Sequence, residues 1–407
     1  MKAVVFHGVG DIRIEEVPNP TLQDTTDAIV RLTASAICGT DLHFIRGTVS
    51  GMKPGTILGH EGVGVVEELG PNVRNLEVGD RVVIPSTIAC GACSYCRAGY
   101  FAQCDIANPE GKRAGTAFFG GPESTGSYPG LQAEKARIPF AHTGLVKLPD
   151  DITDDQAILL SDIFPTGWFG AKLAEISKGD TVAVFGCGPV GQFAIASAKL
   201  MDAGRVFAID CHQDRLAMAR RQGAEVINYE QENPVEVLLE LTNGIGVDRA
   251  IDAVGVDSCR AHHGPAAERS QERAEEFDRE LRALAPRIAP ANGNWIPGDG
   301  PSQALEWAVE ALAKAGTLSI IGVYPPQARV FPIGEAMNKN LAINMGNCNH
   351  RRYIPHLIEL VRGKAIDPTA ILTHAVPLES AIDAYKAFDA RRTGWIKVEL
   401  QPGTLIA

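Results

Sequence analysis

Thr181-Val182-Ala183-Val184-Phe185-Gly186-Cys187-Gly188-Pro189-Val190-Gly191 decides the fold. Its first five residues form a compact apolar run, short enough for a buried strand. Three glycines in Gly-x-Gly-x-x-Gly spacing follow at once, and an alanine-rich helical pattern then runs to about residue 200. The glycine spacing alone is weak. Strand, glycine turn and helix in that order are what a dinucleotide-binding unit requires. Gly186, Gly188 and Gly191 let backbone amides approach a pyrophosphate, and Pro189 and Val190 open the helix whose dipole favours negative charge there. The next strand, 205–210, ends on Asp210. A carboxylate in that place accepts hydrogen bonds from a ribose diol and repels a 2′-phosphate, so NAD is expected over NADP. Arg215 weakens that preference.

Downstream of this unit the alternation continues. Apolar runs at 226–228, 248–254 and 318–323 are separated by helical patterns at 215–222, 235–241 and 305–313. Such alternation predicts a parallel sheet covered on both faces. Residues from about 257 to 303 interrupt it. Within 266–285, rich in Glu and Arg, Ala274, Phe277, Leu281 and Leu284 fall at helical spacing. This predicts an inserted helix and loop, either a solvated excursion or a lid or subunit contact.

Upstream, residues 1 to about 150 read differently. Runs at 2–6, 11–17, 27–37, 62–69 and 81–85 are rich in β-branched residues and broken by Gly and Pro. This is a mostly β domain. After about residue 345, helical patterns at 353–362 and 378–389 and a strand at 394–400 are too few for a domain, and are expected to return to the N-terminal one.

Two groups of metal-binding side chains sit in the β half. Cys90-x2-Cys93-x2-Cys96-x7-Cys104 packs four thiols into one short loop. Tetrahedral thiolate coordination of a structural zinc is expected, an iron–sulfur cluster being the alternative. Cys38-Gly-Thr40-Asp41-Leu-His43 and Gly59-His60-Glu61-Gly-Val-Gly64 supply a thiol, an imidazole and a carboxylate, and Ser161-Asp162-Ile-Phe-Pro-Thr166-Gly167 supplies another carboxylate. Cysteine, histidine and one oxygen ligand with a fourth position open is the makeup of a catalytic zinc site. Asp162 also precedes a helical pattern, so a helix N-cap is its other reading. His7, His142, His262, His263, His356 and His374 have no partner at ligand spacing.

Together, Cys38, Gly59-His60-Glu61-x-x-Gly64, Gly70, the four-cysteine loop and the Gly186–Gly191 turn resemble the zinc-dependent medium-chain alcohol dehydrogenases. The Ser161–Gly167 segment and the insertion look most like the formaldehyde dehydrogenase-like branch. The resemblance implies a GroES-like catalytic domain at 1–163, completed by 346–407, and an NAD-binding Rossmann domain at 164–345. It implies two zincs per chain, the catalytic one on Cys38, His60 and Asp162. Asp162 stands where liver-type members carry cysteine. Glu61 is implied to lie behind that zinc, as a ligand or as an outer group. Thr40 and His43 are implied as a proton relay ending in an imidazole at the surface, and Asp41 as the carboxylate holding His60. Gly39 departs from liver-type members, which place a basic residue there. Thr166, Val254, Gly322 and Val323 are implied to line the nicotinamide, with packing at strand ends as the other reading.

The implied reaction is hydride transfer between NAD and a primary alcohol or hydrated aldehyde. Aldehyde dismutation with retained NAD and polyol oxidation are alternatives, as is an inactive NAD-binding structural or regulatory protein. Phe44, Phe118, Phe119, Trp168 and Trp295 are aromatic candidates for a substrate pocket. A net charge of −11 argues against nucleic-acid and anionic-membrane partners. The opening residues read as a strand rather than a leader, and no apolar run approaches the ~18 residues of a membrane span. A cytoplasmic homo-oligomer, dimeric or tetrameric, is expected.

Overall fold

The computed structural model describes residues 1–403. The chain forms two compact units, one made of Met1–Pro165, Ile288–Trp295 and Asn347–Ala407, the other of Thr166–Arg287 and Ile296–Gly346.

The second unit is built on six parallel strands in the order Glu225–Asn228, Arg205–Asp210, Thr181–Phe185, Val247–Asp252, Leu312–Ile320, Ala342–Met345. This is the doubly wound nucleotide-binding order. Along Thr181–Phe185, Val182 and Val184 join an apolar core with Ala194, Ile195 and Ala198. Ala183 and Phe185 join a second core with Leu238, Trp307 and Ala308. Both faces of the strand are covered, which is why it reads as continuously apolar.

The insertion forms two helices, Ala267–Glu272 and Ala274–Leu284, rather than the single helix expected, with Arg273 at the break. Much of their surface is exposed, and a few side chains anchor them. Phe277 is fully buried, Ser270 and Glu280 hydrogen-bond Gln303 and Ser302, and Arg273 pairs with Glu306. Glu306 lies on the helix Gln303–Ala311, so the inserted helices dock on their own unit. Beyond them, Ile288–Trp295 belongs to the first unit. Trp295, 3% exposed, joins a core with Phe6, Phe44, Tyr385 and Phe388. The Asp389 carboxylate accepts from Trp295 N at 2.7 Å, Asn294 Nδ2 at 2.9 Å and Arg46 Nε at 2.8 Å.

The first unit carries a seven-stranded sheet whose central strand, Ala28–Ile37, pairs antiparallel with Gly62–Leu69 and with the C-terminal strand Val398–Gln401. A three-stranded sheet is formed by Asp11–Glu16, Lys2–Gly8 and Thr56–Ile57. No helix among the described residues is long and apolar enough to cross a membrane.

The C-terminal strand carries a buried carboxylate, Glu399. Its Oε1 accepts from Gln401 Nε2 at 3.1 Å, and Oε2 makes no hydrogen bond. Burial, reinforced by Asp155 and Asp154, pushes this carboxyl up to about 7. A carboxyl raised in the folded state binds its proton more tightly there than in the unfolded chain. Its ionisation therefore costs stability as pH rises from the ordinary glutamate range through about 7, and below that range the cost is absent. Glu399→Gln is expected to raise the unfolding free energy at pH 8 by up to about 3 kcal/mol, seen as a higher melting temperature, and to change little at pH 4. Calorimetry showing the same difference at both pH values would rule this out.

Candidate active site

Antiparallel pairing of Ala28–Ile37 with Gly62–Leu69 sets Ser35 opposite Gly62. It thereby brings His60 and Glu61, just before one strand, beside Cys38, just after the other. Gly59 makes the approach possible. Its φ is +92°, and a Cβ there would lie 2.4 Å from Gln132. Asp162 arrives from the C-terminal end of the helix Asp154–Ser161. It sits between that helix and the next, Ile163–Leu173, so it does precede a helix, and its side chain lies in the cluster. The preceding Ser161 accepts from Gly62 N at 3.0 Å and donates to Ile84 O, which pins the turn to the sheet.

Cys38, His60, Glu61 and Asp162 are all buried, with one candidate ligand atom from each within 4.8 Å of the others. Asp162 Oδ2 lies 3.3 Å from His60 Nε2 and 3.7 Å from Cys38 Sγ. Tetrahedral zinc would place nitrogen and oxygen ligands about 3.3 Å apart, and sulfur and oxygen ligands about 3.5 Å apart. The donor set and its spacing therefore fit zinc. On the far side of the imidazole, His60 Nδ1 faces Asp41 Oδ1 at 3.3 Å, and neither atom makes another hydrogen bond. Asp41 Oδ2 accepts from Cys38 N at 3.0 Å and Gln132 Nε2 at 3.2 Å. Burial pushes the Asp162 carboxyl up, but hydrogen bonds from His350 and His60 outweigh it and hold the group well below the usual range.

Two side chains at this cluster escaped the sequence reading. Lys397, fully buried, donates to Glu61 Oε1 at 2.7 Å, Glu61 Oε2 at 2.6 Å and Ile37 O at 3.0 Å. Burial alone would lower the ammonium pKa; Glu61 holds it above the ordinary value. A lysine inside Trp395-Ile-Lys-Val-Glu-Leu400, an otherwise strand-like run, was the one available signal. His350 places Nε2 2.6 Å from Asp162 Oδ1 and Nδ1 3.2 Å from Thr87 Oγ1. Nothing in its local sequence marks it.

The implied relay needs one correction. His43 is not at the surface; it is 4% exposed, on the helix Gly39–Arg46, whose last six residues are all buried. Its Nδ1 lies 2.7 Å from Thr48 Oγ1, and Thr48 also donates to His43 O at 3.2 Å. Thr40 is half-buried, its Oγ1 3.9 Å from Cys38 Sγ. Of the aromatic candidates, Phe118 presents its ring edge-on to His60 at 6.1 Å and stacks on Phe44. Phe119, Trp168 and Trp295 are core residues.

The four cysteines Cys90, Cys93, Cys96 and Cys104 converge as a second cluster in the same unit. Cys93 Sγ and Cys104 Sγ are 4.0 Å apart, against about 3.8 Å for the edge of a zinc–thiolate tetrahedron. Backbone N–H groups of Ala92 and Cys93 point at Cys90 Sγ, and those of Cys90 and Ala107 at Cys104 Sγ. Burial pushes the Cys93 thiol up, but hydrogen bonds from the Cys96 and Asp105 backbones and from neighbouring thiols bring it down to about 7. The set fits a closed four-thiolate site.

In the second unit, Gly188 caps the helix Pro189–Leu200, with Pro189 in its first turn and Val190 next. Gly186 has φ +88°, and a Cβ on Gly191 would lie 1.8 Å from Gly186 O, so neither position tolerates a side chain. Asp210 ends its strand and accepts from the N–H groups of Cys187, Cys211 and His212 at 2.7–2.9 Å. Arg215 stands 3.9 Å from the same carboxylate. Gly255 and Val323 form a parallel bridge, so Val254, Gly322 and Val323 gather at the C-terminal ends of neighbouring strands. That is the edge at which ligands bind in open parallel sheets. Asp252, which accepts from Val254 N, Gly255 N and the Tyr324 hydroxyl, fixes this edge and was not anticipated. Thr166 lies on the helix Ile163–Leu173.

Residues 24–150 match the family model of the alcohol dehydrogenase GroES-like domain, and residues 189–262 that of the zinc-binding dehydrogenases. Over 406 residues the chain is 38% identical to an uncharacterised zinc-type alcohol dehydrogenase-like protein of Bacillus subtilis strain 168, covering 99% of this chain and all of that one. It is 33% identical over 405 residues to the glutathione-independent formaldehyde dehydrogenase of Pseudomonas aeruginosa, covering 96% and 95% of the two chains. The solved alcohol dehydrogenase of Thermus sp. ATN1 matches with a TM-score of 0.80 and 33% identity, covering 99% of this chain and all of that one.

Proposed function

Because the chain belongs to the zinc-dependent medium-chain alcohol dehydrogenases and is an oxidoreductase of that type, we propose that it transfers a hydride between NAD and a primary alcohol or hydrated aldehyde. The observation that carries this reading is the convergence of Cys38, His60 and Asp162 at tetrahedral spacing in one buried cluster. These three would hold a catalytic zinc, whose chemistry is Lewis-acid stabilisation of negative charge on a substrate oxygen. Gly186, Gly188, Pro189, Val190, Gly191 and Asp210 would hold NAD, with Thr166, Val254, Gly322 and Val323 toward the nicotinamide, whose chemistry is hydride exchange. Cys90, Cys93, Cys96 and Cys104 would hold a second, structural zinc.

The chain's own residues manage the proton. An alcohol gives up its hydroxyl proton as the hydride leaves carbon. Thr40, its Oγ1 3.9 Å from Cys38 Sγ, offers a hydroxyl to pass it on. His43 accepts it, its ring oriented by Thr48. Asp41 holds His60 in place, and Lys397 holds both oxygens of Glu61 behind the cluster.

The test is a panel of primary alcohols, polyols and aldehydes assayed with NAD and with NADP, following the reduced nicotinamide. Primary alcohols with NAD should turn over, and NADP should be weaker by tenfold or more. No turnover with any substrate would overturn the reading. Resemblance to the formaldehyde dehydrogenase supports a second arm, aldehyde without added NAD. Equimolar acid and alcohol in that arm would assign dismutation instead.

The strand Ala342–Met345 is an edge of its sheet, and Ile333, Met337 and Met345 are exposed near it in sequence. An open edge with apolar neighbours supports a homo-oligomer. Sedimentation giving a monomer would rule that out. A cytoplasmic location belongs to the same reading.

A further inference from the structure

We propose that His350 is a positioning residue that decides which oxygen of Asp162 faces the catalytic metal. The proposal rests on the reading of Cys38, His60 and Asp162 as a metal site. The two oxygens of Asp162 are divided between different partners. Oδ2 lies 3.3 Å from His60 Nε2 and 3.7 Å from Cys38 Sγ. Oδ1 lies 2.6 Å from His350 Nε2. A ring nitrogen that close to a carboxylate carries the proton, so His350 donates to Oδ1.

A carboxylate free to turn could offer a metal either oxygen or both. With Oδ1 engaged, Oδ2 alone remains for the metal, and a coordination position stays open for a reactant. The arrangement mirrors the common one in which a carboxylate orients a ligating histidine; here a histidine orients a ligating carboxylate.

His350 is itself held in place. It is 3% exposed, with Nδ1 3.2 Å from Thr87 Oγ1 and Nε2 3.3 Å from Ser86 Oγ. The residue before it, Asn349, accepts from Ala102 N at 2.9 Å. Ala102 sits between Cys96 and Cys104, so the four-cysteine lobe anchors the start of the helix His350–Arg362. The lobe thereby supports the catalytic cluster through Asn349, His350 and Asp162, and this gives a structural zinc a part in organising the other site.

The experiment compares metal binding by the full chain as wild type, His350→Leu and His350→Gln. Glutamine retains an N–H donor at the reach of Nε2; leucine does not. Each protein is titrated with a chelator to measure Zn²⁺ retention at both sites. Each is also loaded with Co²⁺, whose absorption spectrum reports ligand geometry. His350→Leu should retain the catalytic-site metal 10–100-fold more weakly, with a shifted Co²⁺ spectrum and unchanged retention at the four-cysteine site. His350→Gln should recover to within a few-fold of wild type. Should His350→Leu fail to fold, His350→Asn, whose amide is too short to reach Oδ1, takes its place with the same expectation. Equal retention and an unshifted spectrum without the donor overturn the proposal, and so does a failure of His350→Gln to recover. If the wild type binds a single metal and Cys38→Ala removes none, the reading of the metal site has failed instead.

Discussion

Cys38→Ala is expected to remove one of two zincs per chain and lower the rate of NAD-linked alcohol oxidation by about 10³-fold or more. Cys38 supplies the only thiolate in the Cys38, His60, Glu61, Asp162 cluster, and its sulfur lies 3.7 Å from Asp162 Oδ2. Without it, His60 and Asp162 remain, with both oxygens of Glu61 taken by Lys397, too few to hold the metal against water. Negative charge developing on a substrate oxygen then has no cation facing it, and several kcal/mol of stabilisation are lost, each 1.4 kcal/mol being about tenfold in rate. Folding should survive, because the seven-stranded sheet and its cores do not depend on this side chain. Cys96→Ala should do the converse, removing the other zinc and lowering thermal stability before chemistry. A Cys38→Ala enzyme retaining activity within tenfold would disprove the assignment.

Lys397→Met is expected to destabilise the first unit by about 3–5 kcal/mol. Lys397 and Glu61 are fully buried and joined by two short contacts, 2.7 and 2.6 Å. Removing the ammonium takes away the cation that donates to both oxygens of Glu61 in a dry interior beside Asp162. The cost is that of the stranded charge, not of the pair's net attraction. The double variant Lys397→Met with Glu61→Gln should therefore recover much of the loss, since the charge that was stranded is gone. Thermal unfolding of the wild type, both single variants and the double variant measures this. A loss below about 1 kcal/mol for Lys397→Met, or no recovery in the double variant, would show that the pair is not what holds this region.

Much of the architecture could be read from local patterns. The Gly186–Gly191 turn and Cys90–Cys104 declare themselves because their partners are neighbours in sequence. Cys38 and His60–Glu61 could be paired by their donor chemistry and by the family resemblance their motifs carry. Lys397 and His350 could not, since their partners lie 336 and 188 residues away and only the sheet and helix packing bring them together. His43 misled for a different reason. Its surface position was implied by the family resemblance and not read from local pattern, and the helix that carries it is buried along its last six residues. The inserted helices showed their apolar spacing. The return of Ile288–Trp295 to the first unit did not, because Trp295 and Asn294 meet Asp389 across more than 90 residues.

Anomalous scattering at the zinc absorption edge, from crystals of the wild-type protein, tests the central claim most directly. Two peaks per chain are predicted, one among the four cysteine sulfurs and one within bonding distance of Cys38 Sγ, His60 Nε2 and Asp162 Oδ2. Absence of the second peak, or a metal there fully saturated by protein ligands, would contradict the account.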